Sequence, residues 1–163
     1  MAALTAPNRL AMELSLALGL RIGDVLALKT EQLAKCNQRR ITICEQKTGK
    51  RRRVQFPLDL YTRALGQAGR CFVFEHRKDW RQHRTRQAVW ADLKRVARLY
   101  RCDTYAKQPN IAPHSARKAW AVGQYQKSGL KRTQALLNHS GEAVTMLYAM
   151  ADQLTERKLG LKK

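Results

Sequence analysis

The chain has 163 residues, with 32 Lys and Arg against 12 Asp and Glu, so its formal net charge is +20 at pH 7. This length fits one domain or two small ones, and it allows a chain to bury roughly 68–70% of its unfolded surface. A charge excess of this size predicts an anionic partner, with nucleic acid as the first candidate and an anionic membrane surface as the second. No apolar run approaches the roughly 20 residues of a spanning helix, and the apolar N-terminal segment lacks the basic region of a signal peptide.

Residues 7–20 are predicted to form a helix, because apolar residues recur at helical spacing and Pro7 stands near the start. Residues 21–28 predict a second, short helix with Asp24 in its first turn, where a carboxylate is favourable. Two interpretations of Arg21 stay open at this point. It is either a surface arginine at a helix start or an arginine oriented by Asp24, three residues on.

A basic hairpin is predicted next. Residues 40–46 alternate apolar and polar positions, residues 52–56 can return antiparallel, and Gly49 can adopt positive φ in the turn. Lys47 ends the first strand, and an unbroken basic run follows from Lys50. The hairpin either touches DNA phosphates only, or Lys47 enters a minor groove or donates a proton.

The middle of the chain predicts a helix at 58–68, a third strand of the same sheet at 71–74, and a further helix at 85–101. The predicted helix at 85–101 carries a basic stripe that contains no acidic residue. Contact with phosphate is therefore at least as favoured for this stripe as plain exposure to solvent. Its members are Lys94, Arg98 and Arg101.

Metal and disulfide chemistry find little support in the sequence. The four cysteines form no CxxC pair and predict buried or incidental thiols in a reducing cytoplasm. His76 and His83 share a basic loop, but no carboxylate or cysteine completes a ligand set around them. The cysteines are Cys36, Cys44, Cys71 and Cys102.

The C-terminal third predicts helices at 113–128 and 130–138, separated by Gly129, then a short helix over 142–149 and a last one in the tail. The predicted fold class is therefore α+β and mainly α-helical, with seven or eight helices around a small three-stranded antiparallel sheet.

His114 and Arg117 are three apart, so a helix places them on one face. His139 follows, and Tyr148 comes nine residues after it in an apolar segment. Phosphate chemistry needs cationic donors, a proton shuttle and a nucleophile, and these residue types supply all three. Taken alone, each has an ordinary structural interpretation, and a buried core tyrosine is the favoured one for Tyr148.

Four segments together resemble the catalytic domain of the tyrosine recombinases, the phage integrase family. They occur in the family's order and span residues from about 14 to 150. The segments are GLRIGDVLAL around Arg21, EQKTGKRRRVQFPL around Lys47, PHSARKAWA around His114 and Arg117, and LLNHSGEAVTMLY around His139 and Tyr148. The match departs from the family at Lys118, Asn138 and Asp24, where a histidine, a glycine and a glutamate are frequent, and no departure removes a catalytic group.

The resemblance implies the DNA breaking-rejoining fold and a metal-independent reaction through a 3′-phosphotyrosine, with no cofactor. Tyr148 would be the nucleophile, while Arg21 and Arg117 would hold the non-bridging phosphate oxygens. His139 would add a hydrogen bond to the phosphate and Lys47 would protonate the leaving 5′-oxygen. His114 would assist proton movement at Tyr148.

The implied partners are double-stranded DNA and further copies of the chain in a tetrameric synapse, with no membrane. The expected location is a bacterial cytoplasm, free or associated with the nucleoid. A phage or other mobile element is the expected source. We expect the chain to be a single catalytic domain from a longer protein with a preceding DNA-binding domain, and residues 151–163 to dock on a neighbouring protomer. A relaxing enzyme similar to type IB topoisomerases and a non-catalytic DNA-binding module remain alternatives. The candidate DNA contacts are Lys50, Arg51, Arg52, Arg84, Arg86, Lys94, Arg98, Lys118, Lys131 and Arg132.

Overall fold

The computed structural model describes residues 2–99 and 111–137, which form six helices and one hairpin. Within these residues no helix is long and apolar enough to cross a membrane. In chain order the elements are α1 (Ala6–Leu18), α2 (Ile22–Leu26), α3 (Thr30–Ala34), β1 (Arg40–Cys44), β2 (Arg51–Gln55), α4 (Leu58–Gln67), α5 (Arg86–Leu99) and α6 (Ser115–Leu137).

The first helix, α1, lies at the centre and packs against α2, α4, α5 and α6. Its apolar face is buried through Leu10, Leu14 and Leu18. The helix ends at Gly19, which has φ 63° and donates its N–H to the Ser15 carbonyl over 3.0 Å. A left-handed residue of this kind is a common helix stop, and it turns the chain towards α2.

The buried carboxylate of Asp92 on α5 binds the start of α1 through hydrogen bonds. One carboxylate oxygen accepts the Thr5 N–H at 2.9 Å, the Thr5 hydroxyl at 2.8 Å and the Asn8 amide at 2.7 Å. The other accepts two bonds from the Arg95 guanidinium, at 3.0 and 2.5 Å. Burial disfavours the charged form, but these bonds outweigh it and lower the pKa of Asp92 to about 2.

The hairpin is antiparallel, with Ile41 opposite Val54 and Ile43 opposite Arg52. Ile41, Ile43 and Val54 point into the core and are buried. Gly49, at φ 66°, lies in the turn that joins the strands. The predicted β hairpin is therefore confirmed.

The prediction of a third strand is wrong for the described part of the chain, where the sheet has two strands. The 71–74 segment bonds instead to the link between α2 and α3 and to the first residue of α3. Thr30 N donates to Cys71 O at 3.1 Å, and Val73 N donates to Leu28 O at 2.9 Å. Its apolar pattern reflects burial of Val73 and Phe74 in the core and not membership of the hairpin sheet.

The predicted break at Gly129 is confirmed, since this residue has φ 73° inside α6 and separates two helical halves. The helix begins at Ser115, two residues later than predicted, and Pro113 and His114 form the turn before it. The short helix α3 was not predicted. The predicted helices over 142–149 and in the tail lie outside the described residues, as does the predicted end of α5 beyond Leu99.

Candidate active site

Arg21 directly precedes α2 in an extended conformation, with φ −67° and ψ 143°. Its Nη1 donates to Glu45 Oε2 over 2.5 Å, and the same nitrogen lies 4.0 Å from Asp24 Oδ2. The side chain keeps 17% of its surface exposed. Asp24 does interact with Arg21, as one sequence interpretation supposed, but the direct hydrogen bond goes to Glu45.

Arg117 lies in the first turns of α6 and is almost fully buried. Its Nη1 donates to the Gly19 carbonyl at 2.8 Å and its Nη2 to the Leu137 carbonyl at 2.9 Å. Nη1 also lies 4.0 Å from Glu45 Oε1. Arg117 therefore joins the end of α1 to the end of α6, and it meets Arg21 across one carboxylate.

That carboxylate, Glu45, is completely buried and was missed in the sequence. The signal was present, because Glu45 continues the inward alternation of Ile41 and Ile43. Its Oε2 accepts the Thr48 hydroxyl at 2.8 Å as well as the Arg21 guanidinium. Burial disfavours the charged form, yet these bonds and the charges of Arg21 and Arg117 outweigh it, so the pKa of Glu45 is lowered.

The pKa of a second buried carboxylate, Asp24, is shifted in the opposite direction. Desolvation is the largest influence and raises the pKa of Asp24, and the neighbouring Glu45 charge adds to this. The backbone N–H of Gln46, 3.0 Å from Oδ1, and the Arg21 charge oppose the shift without cancelling it. The site thus holds one carboxylate whose charged form is favoured, Glu45, and one whose charged form is disfavoured, Asp24.

A third arginine, Arg52, turns inward from β2. It donates to the carbonyls of Leu18 at 2.7 Å and Gly19 at 3.2 Å, and its guanidinium stacks 5.1 Å from the centre of the Trp120 ring. Desolvation and the nearby Arg117 lower the pKa of Arg52 to about 10, so it stays charged at neutral pH. These contacts hold the Arg52 guanidinium group against the protein itself. A DNA contact at this residue would need the guanidinium group to face outwards.

Gly19 is the meeting point of Arg52 and Arg117, whose guanidinium groups both donate to its carbonyl. A Cβ at this position would lie 2.4 Å from the Trp120 ring, and φ is positive. Glycine therefore permits both the turn out of α1 and the close packing of Trp120, whose ring stacks on Arg52.

Lys47 is exposed in the turn between β1 and β2. The turn closes on Glu45, whose carbonyl accepts the N–H groups of Thr48 at 3.3 Å and Gly49 at 2.8 Å. Glu45 therefore both binds Arg21 through its side chain and begins the turn that carries Lys47.

His114 is exposed just before α6, and its carbonyl accepts the Lys118 N–H at 3.0 Å. Partial desolvation of the ring, followed by the charges of Arg117, Arg21, Arg86 and Lys118, lowers the pKa of His114. The imidazole is therefore neutral at pH 7 and can accept a proton. His139 and Tyr148 lie outside the described residues.

Most of the candidate DNA contacts are on the surface. Arg84 is the exception besides Arg52, since it is partly buried and its Nε donates to Asn8 Oδ1 at 2.6 Å. Lys94 lies over the exposed Trp90 ring, 4.7 Å from its centre. The exposed candidates are Lys50, Arg51, Arg86, Lys94, Arg98, Lys118, Lys131 and Arg132.

Over residues 2–99 and 111–137, no group of three or more His, Cys, Asp or Glu side chains is placed to hold a metal ion. Cys36, Cys44 and Cys71 are free thiols, and the last two are exposed, so they are not the buried thiols of one sequence interpretation. Cys102 lies outside the described residues.

Comparison with known proteins places this chain in a family. The model of the phage integrase family matches residues 1–154, which is nearly the whole chain. The chain belongs to the phage integrase family. Its similarity to the tyrosine recombinase XerD of Ralstonia nicotianae is 31% identity over 153 residues, covering 86% of this chain and 47% of that protein. The probable integrase/recombinase YoeC of Bacillus subtilis is 27% identical over 146 residues, which cover 85% of this chain and 74% of that protein.

Solved structures of the family share the fold. XerH site-specific recombinase bound to a palindromic difH substrate matches with a TM-score of 0.67 at 20% identity, over 95% of this chain and 46% of that one. A lambda integrase dimer bound to a COC′ core site matches with a TM-score of 0.70 at 18% identity, over 89% and 42%. The chain therefore has the tyrosine-recombinase catalytic-domain fold, and it spans about half the length of XerD and of these structural neighbours.

Proposed function

We propose that this chain is the catalytic domain of a site-specific DNA recombinase that cuts and rejoins DNA through a 3′-phosphotyrosine on Tyr148. The observation that carries the proposal is the meeting of Arg21 and Arg117 at the buried Glu45, with the Lys47 turn leaving from the same residue. Two guanidinium groups held in place suit a phosphate whose negative charge grows in the transition state.

The remaining roles follow from the chemistry of each group. Lys47 is an exposed amine on the turn that Glu45 anchors, so it can protonate the leaving 5′-oxygen. His114 is neutral at pH 7 and assists the loss of the Tyr148 proton. His139 adds a hydrogen bond to a non-bridging oxygen. The bond energy stays in the phosphotyrosine, so rejoining needs no nucleotide.

The substrate is proposed to be duplex DNA, which the net charge of +20 favours electrostatically. XerH and lambda integrase were both solved on DNA, the latter as a dimer. By analogy we propose that copies of this chain assemble on DNA, with a tetramer as the synaptic form, in a bacterial cytoplasm and for the movement of a phage or other mobile element.

Tyr148→Phe tests the nucleophile, because it removes one oxygen and keeps the ring. A pool of nicked duplexes with random sequence around the nick is incubated with the full chain, and covalent adducts are captured under denaturing conditions. The natural chain should form an adduct that peptide mapping places on Tyr148, and the Phe variant should form none.

Tyr125→Phe is the matched control, since this tyrosine is a partly buried residue of α6 without a proposed role. It should capture DNA as the natural chain does. An adduct that persists in Tyr148→Phe, or that maps to Tyr125, would overturn the assignment. Joining of two captured duplexes distinguishes recombination from relaxation alone.

A further inference from the structure

One oxygen of the buried Glu45 carboxylate serves two separate parts of the site. Oε2 accepts the Arg21 guanidinium at 2.5 Å and the Thr48 hydroxyl at 2.8 Å. Arg21 precedes α2, whereas Thr48 follows Lys47 in the hairpin turn. A single atom thereby sets the distance between a phosphate-binding arginine and the segment that carries the amine.

The other oxygen faces the second arginine. Oε1 is buried and has no hydrogen-bond partner among the described residues, and Arg117 Nη1 lies 4.0 Å away. The carboxylate therefore lies between two like charges that would otherwise repel each other. Its charge offsets that repulsion while leaving Arg21 partly exposed on its outer side.

The position itself argues for function over stability. Glu45 occupies an inward position that continues the row of Ile41 and Ile43, where an apolar side chain would ordinarily lie. A buried ion pair is frequently no more stabilising than a well-packed apolar replacement, since both ions lose their water. A carboxylate at this point is best explained by the orientation that it gives to its partners.

We propose that Glu45 is a positioning residue that holds Arg21 and the Lys47 turn in one fixed arrangement for the reaction. The inference rests on the proposed function, and it adds to it a residue that touches neither DNA nor the reacting atoms. A misplacement of about 1 Å in such a support can slow a reaction by about 10²-fold.

Three variants of the full chain separate the two contacts of Glu45. Glu45→Gln removes the charge that holds Arg21, and Thr48→Val removes only the bond to the turn. Glu13→Gln is the control, because Glu13 is a partly exposed α1 residue that pairs with Arg63 at 2.6 Å, apart from the contacts described for Glu45. Single-turnover cleavage is measured on nicked duplexes selected by the natural chain, with either oxygen or sulfur at the bridging 5′ position.

A sulfur leaving group needs little protonation, so it reports whether a defect acts through Lys47. Thr48→Val should cleave more slowly on the oxygen substrate and recover most of its rate with sulfur. Glu45→Gln should lose about 10²-fold on oxygen and recover only in part, because Arg21 is released as well. Where the natural chain cleaves, equal cleavage by Glu45→Gln and Glu13→Gln would overturn the proposal, and so would a Thr48→Val defect that is the same on both substrates.

A measurement without DNA keeps this inference separate from the proposed function. Rotation about the Cζ–Nη bonds of Arg21 is followed by nitrogen NMR in the natural chain and in Glu45→Gln, with Arg21→Lys to assign the signal. Rotation should be slow in the natural chain and fast in the variant. Rotation in the natural chain as fast as that of the exposed Arg51 would overturn the role of Glu45, whereas a failure to cleave DNA would overturn only the proposed function.

Discussion

Two buried carboxylates, Asp92 and Glu45, each hold an arginine, and they differ in how completely they are satisfied. Both Asp92 oxygens accept hydrogen bonds, from Thr5, Asn8 and Arg95. Glu45 accepts two bonds on Oε2, while its buried Oε1 has no hydrogen-bond partner within residues 2–99 and 111–137. The first is a closed network, and the second is an open one beside a partly exposed arginine.

We interpret the difference as one between a network that stabilises the fold and a network that serves the proposed chemistry. A fully satisfied buried network fixes a single packing arrangement and strengthens it. A buried polar atom without a partner is costly and is expected at functional sites more than elsewhere. Changes at Asp92 should therefore alter unfolding, whereas changes around Glu45 should alter cleavage.

The largest effect is expected from Lys47→Ala, in the turn next to the open network around Glu45. Loss of a general acid should slow cleavage by about 10²–10⁴-fold, while DNA binding changes little because one surface charge is removed. A bridging 5′-sulfur should restore the rate. Lys35→Ala is the control, since Lys35 is exposed directly after α3 and pairs with Glu31. Absence of rescue would make Lys47 a DNA contact and not an acid.

On the closed side, Asp92→Asn should lower the free energy of unfolding by about 2–4 kcal/mol at pH 7, because it weakens a buried, charge-assisted network. Urea titration measures the change. Asp59→Asn, at an exposed carboxylate of α4, should change stability by less than about 1 kcal/mol. A loss of cleavage in folded Asp92→Asn protein would contradict the division between the two networks.

The pH dependence of this variant has a defined sign. The pKa of Asp92 is lowered to about 2, while an unfolded Asp titrates near 3.9. Its stabilising charge is therefore fully present above the unfolded pKa and is lost as the pH falls from about 4 towards 2. The difference in stability between the natural chain and Asp92→Asn should shrink over that range, and a constant difference would contradict it.

Local patterns were sufficient for much of the fold. The alternation around Ile41 and Ile43 predicted the hairpin, and Gly129 predicted the break in α6, because both signals act over a few residues. The 71–74 segment was misplaced because its partners, Leu28 and Thr30, are more than forty residues away in sequence. A short apolar run does not encode which distant backbone it will bond.

The site shows the same limit at the level of single side chains. The family resemblance points to Arg21 and Arg117, but it does not point to Glu45, because a glutamate at the end of a strand suggests an exposed residue. Arg52 was assigned to DNA from its basic run, although it shares the inward face of β2 with Val54. Period-two alternation could have found both residues, but only if charged side chains were allowed on the buried face.

A smaller effect separates Arg51 from Arg52. Arg51 is exposed, so Arg51→Ala should reduce the slope of log affinity against log salt concentration by about 0.9, as expected for one phosphate contact on duplex DNA. Arg52 is committed to the Leu18 and Gly19 carbonyls, so Arg52→Ala should lower thermal stability and leave the slope unchanged. Binding is measured on random duplex DNA between low and moderate salt. The opposite assignment of the two effects would show that Arg52 faces DNA.

The smallest effect concerns His114, the proposed proton acceptor. Desolvation, followed by four surrounding cations, lowers the pKa of His114 from its ordinary value near 6.5. If neutral His114 takes the Tyr148 proton, cleavage should fall as the pH drops through that lowered pKa.

Arg86→Ala removes one of these cations, so the pKa of His114 should rise and the fall in rate should begin at a higher pH. Arg98→Ala, at the other end of α5, serves as control because it removes an exposed charge that is absent from the influences on His114. A pH profile of single-turnover cleavage that is the same in the natural chain and in Arg86→Ala would remove His114 from the proton path.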